Sequence, residues 1–173
     1  MADFLNIDNV LNELDLKENM IGAEFGCGSA IFTVALSKKL RNGKVYALDI
    51  QKEKLSALRG KLAIENITNV YTILCDLEAP KGSTLISNML DVVLIPNVLF
   101  QAENKYVIIE EAKRVLKSGG QILVIDWLKS DSLGPKENLF SPDQVKKIAD
   151  ELDLKLKKEF ITGDYHYALL FTK

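Results

Sequence analysis

The sequence has a single histidine, two isolated cysteines and no long apolar run. Cys27 and Cys75 belong to no CxxC or Cys/His cluster. A disulfide framework and a soft-metal site therefore both lack ligands, and no metal is expected. Apolar runs such as 92–95 and 122–125 fall far short of the ~20 residues that a membrane-spanning helix requires. The opening stretch is acidic and amphipathic, unlike a signal peptide. No block of five or six basic residues occurs, and the formal net charge is −2. The electrostatic footprint of a nucleic-acid binder is missing. These absences predict a cytoplasmic protein with neither membrane nor nucleic acid as its partner.

What is present is a patterned chain of 173 residues, 47% hydrophobic, which suits one domain with a two-sided core. Phe4, Ile7, Val10, Leu11 and Leu14 recur at helical spacing and predict a helix over 3–15. Short apolar runs then alternate with amphipathic ones. Strands are expected at 20–25, 44–49, 70–74, 91–95 and 121–127. Helices are expected at 29–40 with Ser29 as its cap, at 51–65, and at 103–116 ended by Ser118-Gly119-Gly120. The segment between the third and fourth strands, around Pro80, has room for one short helix. Ser141, Pro142 and Gln144 spell a capping box that opens another helix. Two closing strands, 154–161 and 165–172, flank Thr162-Gly163-Asp164 and should form an antiparallel hairpin.

This alternation predicts an α/β fold: a Rossmann-like, doubly wound, seven-stranded sheet, mostly parallel, with one antiparallel strand in the C-terminal hairpin and helices on both faces. Such sheets bind ligands beyond the carboxyl ends of their strands, so the residues after each strand carry the functional argument.

The first strand runs into Glu24-Phe25-Gly26-Cys27-Gly28. Glycines here let the backbone turn sharply and a ligand approach it closely. Taken alone, the pair is weak evidence, since a tight strand–helix turn with no ligand also explains it. A dinucleotide fingerprint wants glycine at position 31, where Ile31 stands. It also has no use for Glu24 beside a pyrophosphate, whereas a ligand with an amino group and a sulfonium welcomes a carboxylate. The plainer role for Glu24 is to satisfy the loop's own amides. Asp49 ends the second strand and is placed to accept from both ribose hydroxyls, or merely to cap the next helix. Ile50 suits an adenine face or the core. Asp76, after the third strand, suits an adenine amino group or a loop. Three carboxylates at three successive strand ends, beside a glycine turn, point to one adenosine site.

At these residues the chain resembles the class I S-adenosylmethionine-dependent methyltransferases, in particular the small-molecule group of ubiquinone/menaquinone C-methyltransferase relatives. Glu24–Gly28 matches the first motif, Val45–Asp49 the acidic second, and Cys75-Asp76-Leu77 the adenine-contacting position. Asp91–Asn97 matches the fourth-strand motif, and Arg114–Val124 the signature leading into strand five. The resemblance covers about residues 20–173 and implies S-adenosylmethionine as cofactor. The cofactor would be held by Glu24, Phe25, Gly26, Cys27, Gly28, Asp49, Ile50, Cys75, Asp76, Leu77, Pro96 and Asn97. Two departures stand out. Ser118 replaces a usual proline, and Ala30 replaces a commoner glycine, which is tolerated unless φ is positive there.

Methyl transfer from a sulfonium is an in-line displacement with a neutral leaving group. Alignment and exclusion of water are its main needs. Asn97 is placed to orient an acceptor, or only to satisfy loop backbone. His166 is the natural base for a phenol, enol or amine, or a rim histidine with a structural bond. The Asn/Asp-Pro-Pro-aromatic motif that holds a flipped base is absent. Trp127 walls the acceptor pocket or packs, and the N-terminal helix, within 1–17, is expected to cap the acceptor side. The expected acceptor is a small molecule, handled by a monomer or homodimer within one domain spanning 1–173. The alternatives are a protein or RNA methyltransferase relying on a partner, and a non-catalytic cofactor-binding adapter.

Overall fold

A computed structural model describes residues 5–128, 135 and 139–173. Phe4, Gly134 and most of the stretch between Leu128 and Phe140 lie outside the described residues. The strands are β1 (Ile21–Phe25), β2 (Lys44–Asp49), β3 (Val70–Leu74), β4 (Leu90–Pro96), β5 (Leu116–Trp127), β6 (Lys155–Thr162) and β7 (His166–Thr172). They form one sheet in the order β3-β2-β1-β4-β5-β7-β6. β1 to β5 pair in parallel, and β7 runs antiparallel to both of its neighbours. The helices are α1 (Ile7–Leu11), α2 (Ile31–Lys39), α3 (Lys52–Ile64), α4 (Lys105–Val115) and α5 (Pro142–Glu151).

Alternation along β4 shows how the helices divide. Val93 and Ile95 pack with Ile108, Ile109 and Ala112 of α4 and Val145 and Ala149 of α5. Val92 and Leu94 point the other way, to Val10 and Leu11 of α1 and Leu36 of α2. Leu55, Leu58 and Leu62 of α3 join Val34 and Ala47 in a third cluster. Successive side chains on a strand face opposite sides, so one central strand serves both layers. The sheet's direction reverses its winding between β2-β1 and β4, and this switch opens a crevice at the strands' carboxyl ends. No helix among the described residues is long and apolar enough to cross a membrane.

Four local expectations are corrected. α1 is shorter than 3–15, because Asp15 N–H donates to Gln121 Oε1 and Gln121 Nε2 donates to Asp15 Oδ2, both at 3.2 Å. These long-range bonds draw the chain off the helix. The residue before α2 is Ala30, not Ser29, with φ +67 and no side-chain cap of its own. The segment 75–89 is a run of turns without a helix among its described residues. Its tight path leaves a Cβ on Gly82 only 1.8 Å from Asp76 O. Finally, Ser118-Gly119-Gly120 do not end α4, since Leu116 is already extended. Gly119 N–H instead donates to Lys173 O at 2.8 Å, and Gly120 O accepts from Lys173 N–H at 3.0 Å.

Candidate active site

The ends of β1, β2, β3 and β4, with Trp127 and His166 from β5 and β7, surround one cavity of about 770 Å³. That volume lies within the range of pockets that enclose small ligands. Eleven of the twelve expected cofactor residues line it, Asn97 among them, and so does His166. Phe25 does not. Strand alternation turns its fully buried ring into the core with Ala23, Val93 and Ile95.

The glycine turn leaves β1 with φ +77 at Gly26 and φ +38 at Gly28. A Cβ at Gly26 would lie 2.5 Å from Val98 Cγ2, so its constraint is internal packing. A Cβ at Gly28 would meet only Gly26 O at 3.9 Å. Chain neighbours aside, no other atom of the described residues comes within 4 Å of it, which leaves room for a ligand against the backbone.

Glu24 is buried and accepts from both the hydroxyl and the backbone N–H of Thr33. It thus caps α2 at the third helical position, the task the sequence had given to Ser29. Burial pushes its pKa up to about 8, against the lowering effect of the Thr33 bonds. Its hydrogen-bond partner Thr33 belongs to α2 and not to the loop, so the acid serves a helix amide where the loop's own amides were expected, while the residue still borders the cavity. Asp49 Oδ2 accepts from Gly28 N–H at 3.0 Å and Oδ1 from Gln51 N–H at 2.9 Å. Oδ1 keeps a lone pair for a further donor, whereas Oδ2 also accepts from the Cys27 thiol. Cys27 lies between, its sulfur 3.7 Å from Asp49 Oδ2, and burial pushes the thiol up to about 12. Asp76 Oδ1 accepts from Glu78 N–H at 2.9 Å. Burial raises the neighbouring Cys75 thiol to about 11, so neither cysteine is a ready nucleophile.

Beyond the glycine turn, Asn97 sits at φ +55 with its N–H on Ile125 O at 2.8 Å. The loop that follows hangs on Asp126, a buried carboxylate that sequence reasoning missed. Its Oδ2 accepts from Phe100 N–H at 3.1 Å and its Oδ1 from Trp127 N–H at 2.8 Å, while burial pushes its pKa up to about 6. Trp127 lines the cavity, its ring centroid 4.3 Å from that of His166. Ile7 of α1 also reaches the cavity. Gln51 and Lys54 line it near Asp49. Only their place just after a strand end hinted at them.

A family model described as "Methyltransferase domain" matches residues 16–165. The chain belongs to this methyltransferase family. Its relatives include a ubiquinone/menaquinone biosynthesis C-methyltransferase from Hydrogenovibrio crunogenus, 34% identical over 59% of this chain and 40% of that protein. A demethylmenaquinone methyltransferase from Staphylococcus haemolyticus is 28% identical over 68% of this chain and 48% of that protein. The chain thus spans less than half the length of these two relatives. A solved S-adenosylmethionine-dependent methyltransferase from Aquifex aeolicus superposes with a TM-score of 0.86 at 26% identity, covering 96% of this chain and 89% of that one. The methyltransferase domain here is of the class I, S-adenosylmethionine-dependent kind, with the Rossmann-like sheet of that class.

Proposed function

We propose that the protein transfers a methyl group from S-adenosylmethionine to a small acceptor held in the same cavity. One observation carries the reading: Glu24, Asp49 and Asp76, from three successive strand ends, border one cavity above a glycine with open space over it. When bound, S-adenosylmethionine supplies an electrophilic methyl carbon on a positively charged sulfur. Asp49 offers the free lone pair of Oδ1 to a ribose hydroxyl, and Asp76 accepts from the adenine amino group. Ile50, which is 64% exposed at the cavity's edge, covers the adenine face. Glu24 supplies negative charge below the turn, suited to an ammonium or sulfonium. Val98 and Ala102 contribute apolar wall that excludes water. Ile7 of α1 supports an N-terminal element that covers the acceptor side. The names of the quinone-methylating relatives support a small-molecule acceptor.

Calorimetry with S-adenosylhomocysteine tests the cofactor half of this reading. Wild type binds, and Asp49→Ala weakens binding by about 1.5–3 kcal/mol, the worth of a hydrogen bond to a charged group. A wild type that does not bind overturns the reading.

A further inference from the structure

Two buried polar atoms have no hydrogen-bond partner among the described residues: Asn97 Oδ1 and His166 Nε2. Both residues line the cavity that holds the three acids. They reach it from strands on either side of β5. Asn97 follows β4, and His166 opens β7 opposite Trp127 in the antiparallel ladder. The Trp127 and His166 rings lie 4.3 Å apart, tilted by 37°. His166 is only 4% exposed. Its burial lowers its pKa, which leaves the imidazole neutral and able to take a proton. Buried polar groups are almost always paired. Two unpaired atoms on residues that line one cavity beside an indole wall mark a place where a ligand supplies the partners.

We propose that this end of the cavity is the acceptor subsite, and that it takes a flat molecule whose nucleophilic atom bears a proton, an aromatic O–H or N–H, with His166 Nε2 receiving that proton. The inference rests on the cofactor reading of the other end. Asn97 Oδ1 can only accept, so a pure hydrogen-bond acceptor such as an ether or ketone leaves it bare. A hydrocarbon leaves both atoms bare. On a planar body that stacks on Trp127, an N–H2 group can donate to both atoms and an O–H to Nε2. In the transfer, the acceptor's oxygen or nitrogen bonds to the methyl carbon as the carbon–sulfur bond breaks. The bonding pair stays on sulfur, and the acceptor's proton passes to Nε2. The imidazolium then releases that proton to water. Asn97 orients the acceptor and takes no proton.

His166 is the only histidine, so its ring signals in a nitrogen-15 spectrum need no assignment. The test titrates protein saturated with S-adenosylhomocysteine with phenol, aniline and toluene. Phenol or aniline is expected to shift the His166 Nε2 signal, and toluene is not. A response to phenol alone identifies a hydroxyl acceptor, and to aniline alone an amine. His166→Phe keeps a ring against Trp127 and is expected to weaken the effective probe by about tenfold, one hydrogen bond's worth. Its retained binding of S-adenosylhomocysteine reports that the variant folds. Equal response to all three probes, or no response at His166, overturns the proposal while the cofactor reading stands. Failure to bind S-adenosylhomocysteine instead removes the cofactor reading.

Discussion

Glu24 holds the first turn of α2 through Thr33 and borders the ligand cavity with the same carboxylate. With its pKa pushed up to about 8 it is largely protonated at pH 7 in the free protein. A cationic ligand group favours the ionised form, so cofactor affinity should rise with pH up to about 8 and then level. The slope approaches about tenfold per pH unit, and Glu24→Gln should flatten it; calorimetry at several pH values measures both. The effect on stability has the opposite sign. A folded pKa above the unfolded value of 4.5 gives a contribution that is complete below 4.5 and lost as pH rises through about 8. The two glycines of the turn separate packing from binding. Gly26→Ala drives a Cβ into Val98 at positive φ and should cost about 2–4 kcal/mol of stability, visible in urea unfolding. Gly28→Ala meets no side chain among the described residues. It should cost less stability and chiefly abolish binding of S-adenosylhomocysteine. Ala30 shows the limit of reading a motif letter by letter: alanine was expected to be harmless there unless φ is positive, and φ is +67.

Elements specified by neighbouring residues were legible in the sequence, and those set by distant partners were not. β2 and β3 stand at the expected residues because each is a short apolar run between clear breakers. The capping box of α5 is present in full, with Ser141 N–H on Gln144 Oε1 at 2.9 Å and Gln144 N–H on Ser141 Oγ at 3.3 Å. Ser141→Ala should therefore cost about 1 kcal/mol, measured as a lowered urea midpoint with unchanged slope. The end of α1 was hidden because Gln121, more than a hundred residues away, pairs with Asp15. The cap of α2 was hidden because Glu24 reaches it from beneath, out of the preceding strand. The site followed the same division. Strand ends are local features, and the doubly wound order carries them to one crevice, so the expected Glu24, Asp49, Asp76 and Asn97 all border one cavity. Phe25, expected with them, points its ring into the core, because a motif match ignores which way a strand residue points. Asp126 was missed because its role is to hold the Leu99–Phe100 loop, and no spacing in the sequence announces that contact.

At the scale of the whole molecule, one cavity draws on the ends of β1, β2, β3, β4 and β5, on α1 and on the C-terminal hairpin. A ligand bound there and not to the unfolded chain stabilises all of them together. With S-adenosylhomocysteine at a hundredfold excess over Kd the gain is about 2.7 kcal/mol, which at 2–4 °C per kcal/mol for this size is a Tm increase of roughly 5–10 °C. Asp49→Ala measured at the same ligand concentration should lose most of the increase. Hydrogen exchange gives the spatial half of the test. Added protection should gather at the loops after β1, β2, β3 and β4, where the acids and Asn97 lie. β6 should be unchanged: it is an edge strand, mostly exposed, and contributes no residue to the cavity. A Tm increase accompanied by protection along β6 but not after β1 and β2 would place the ligand elsewhere, and the three acids would then be structural caps alone.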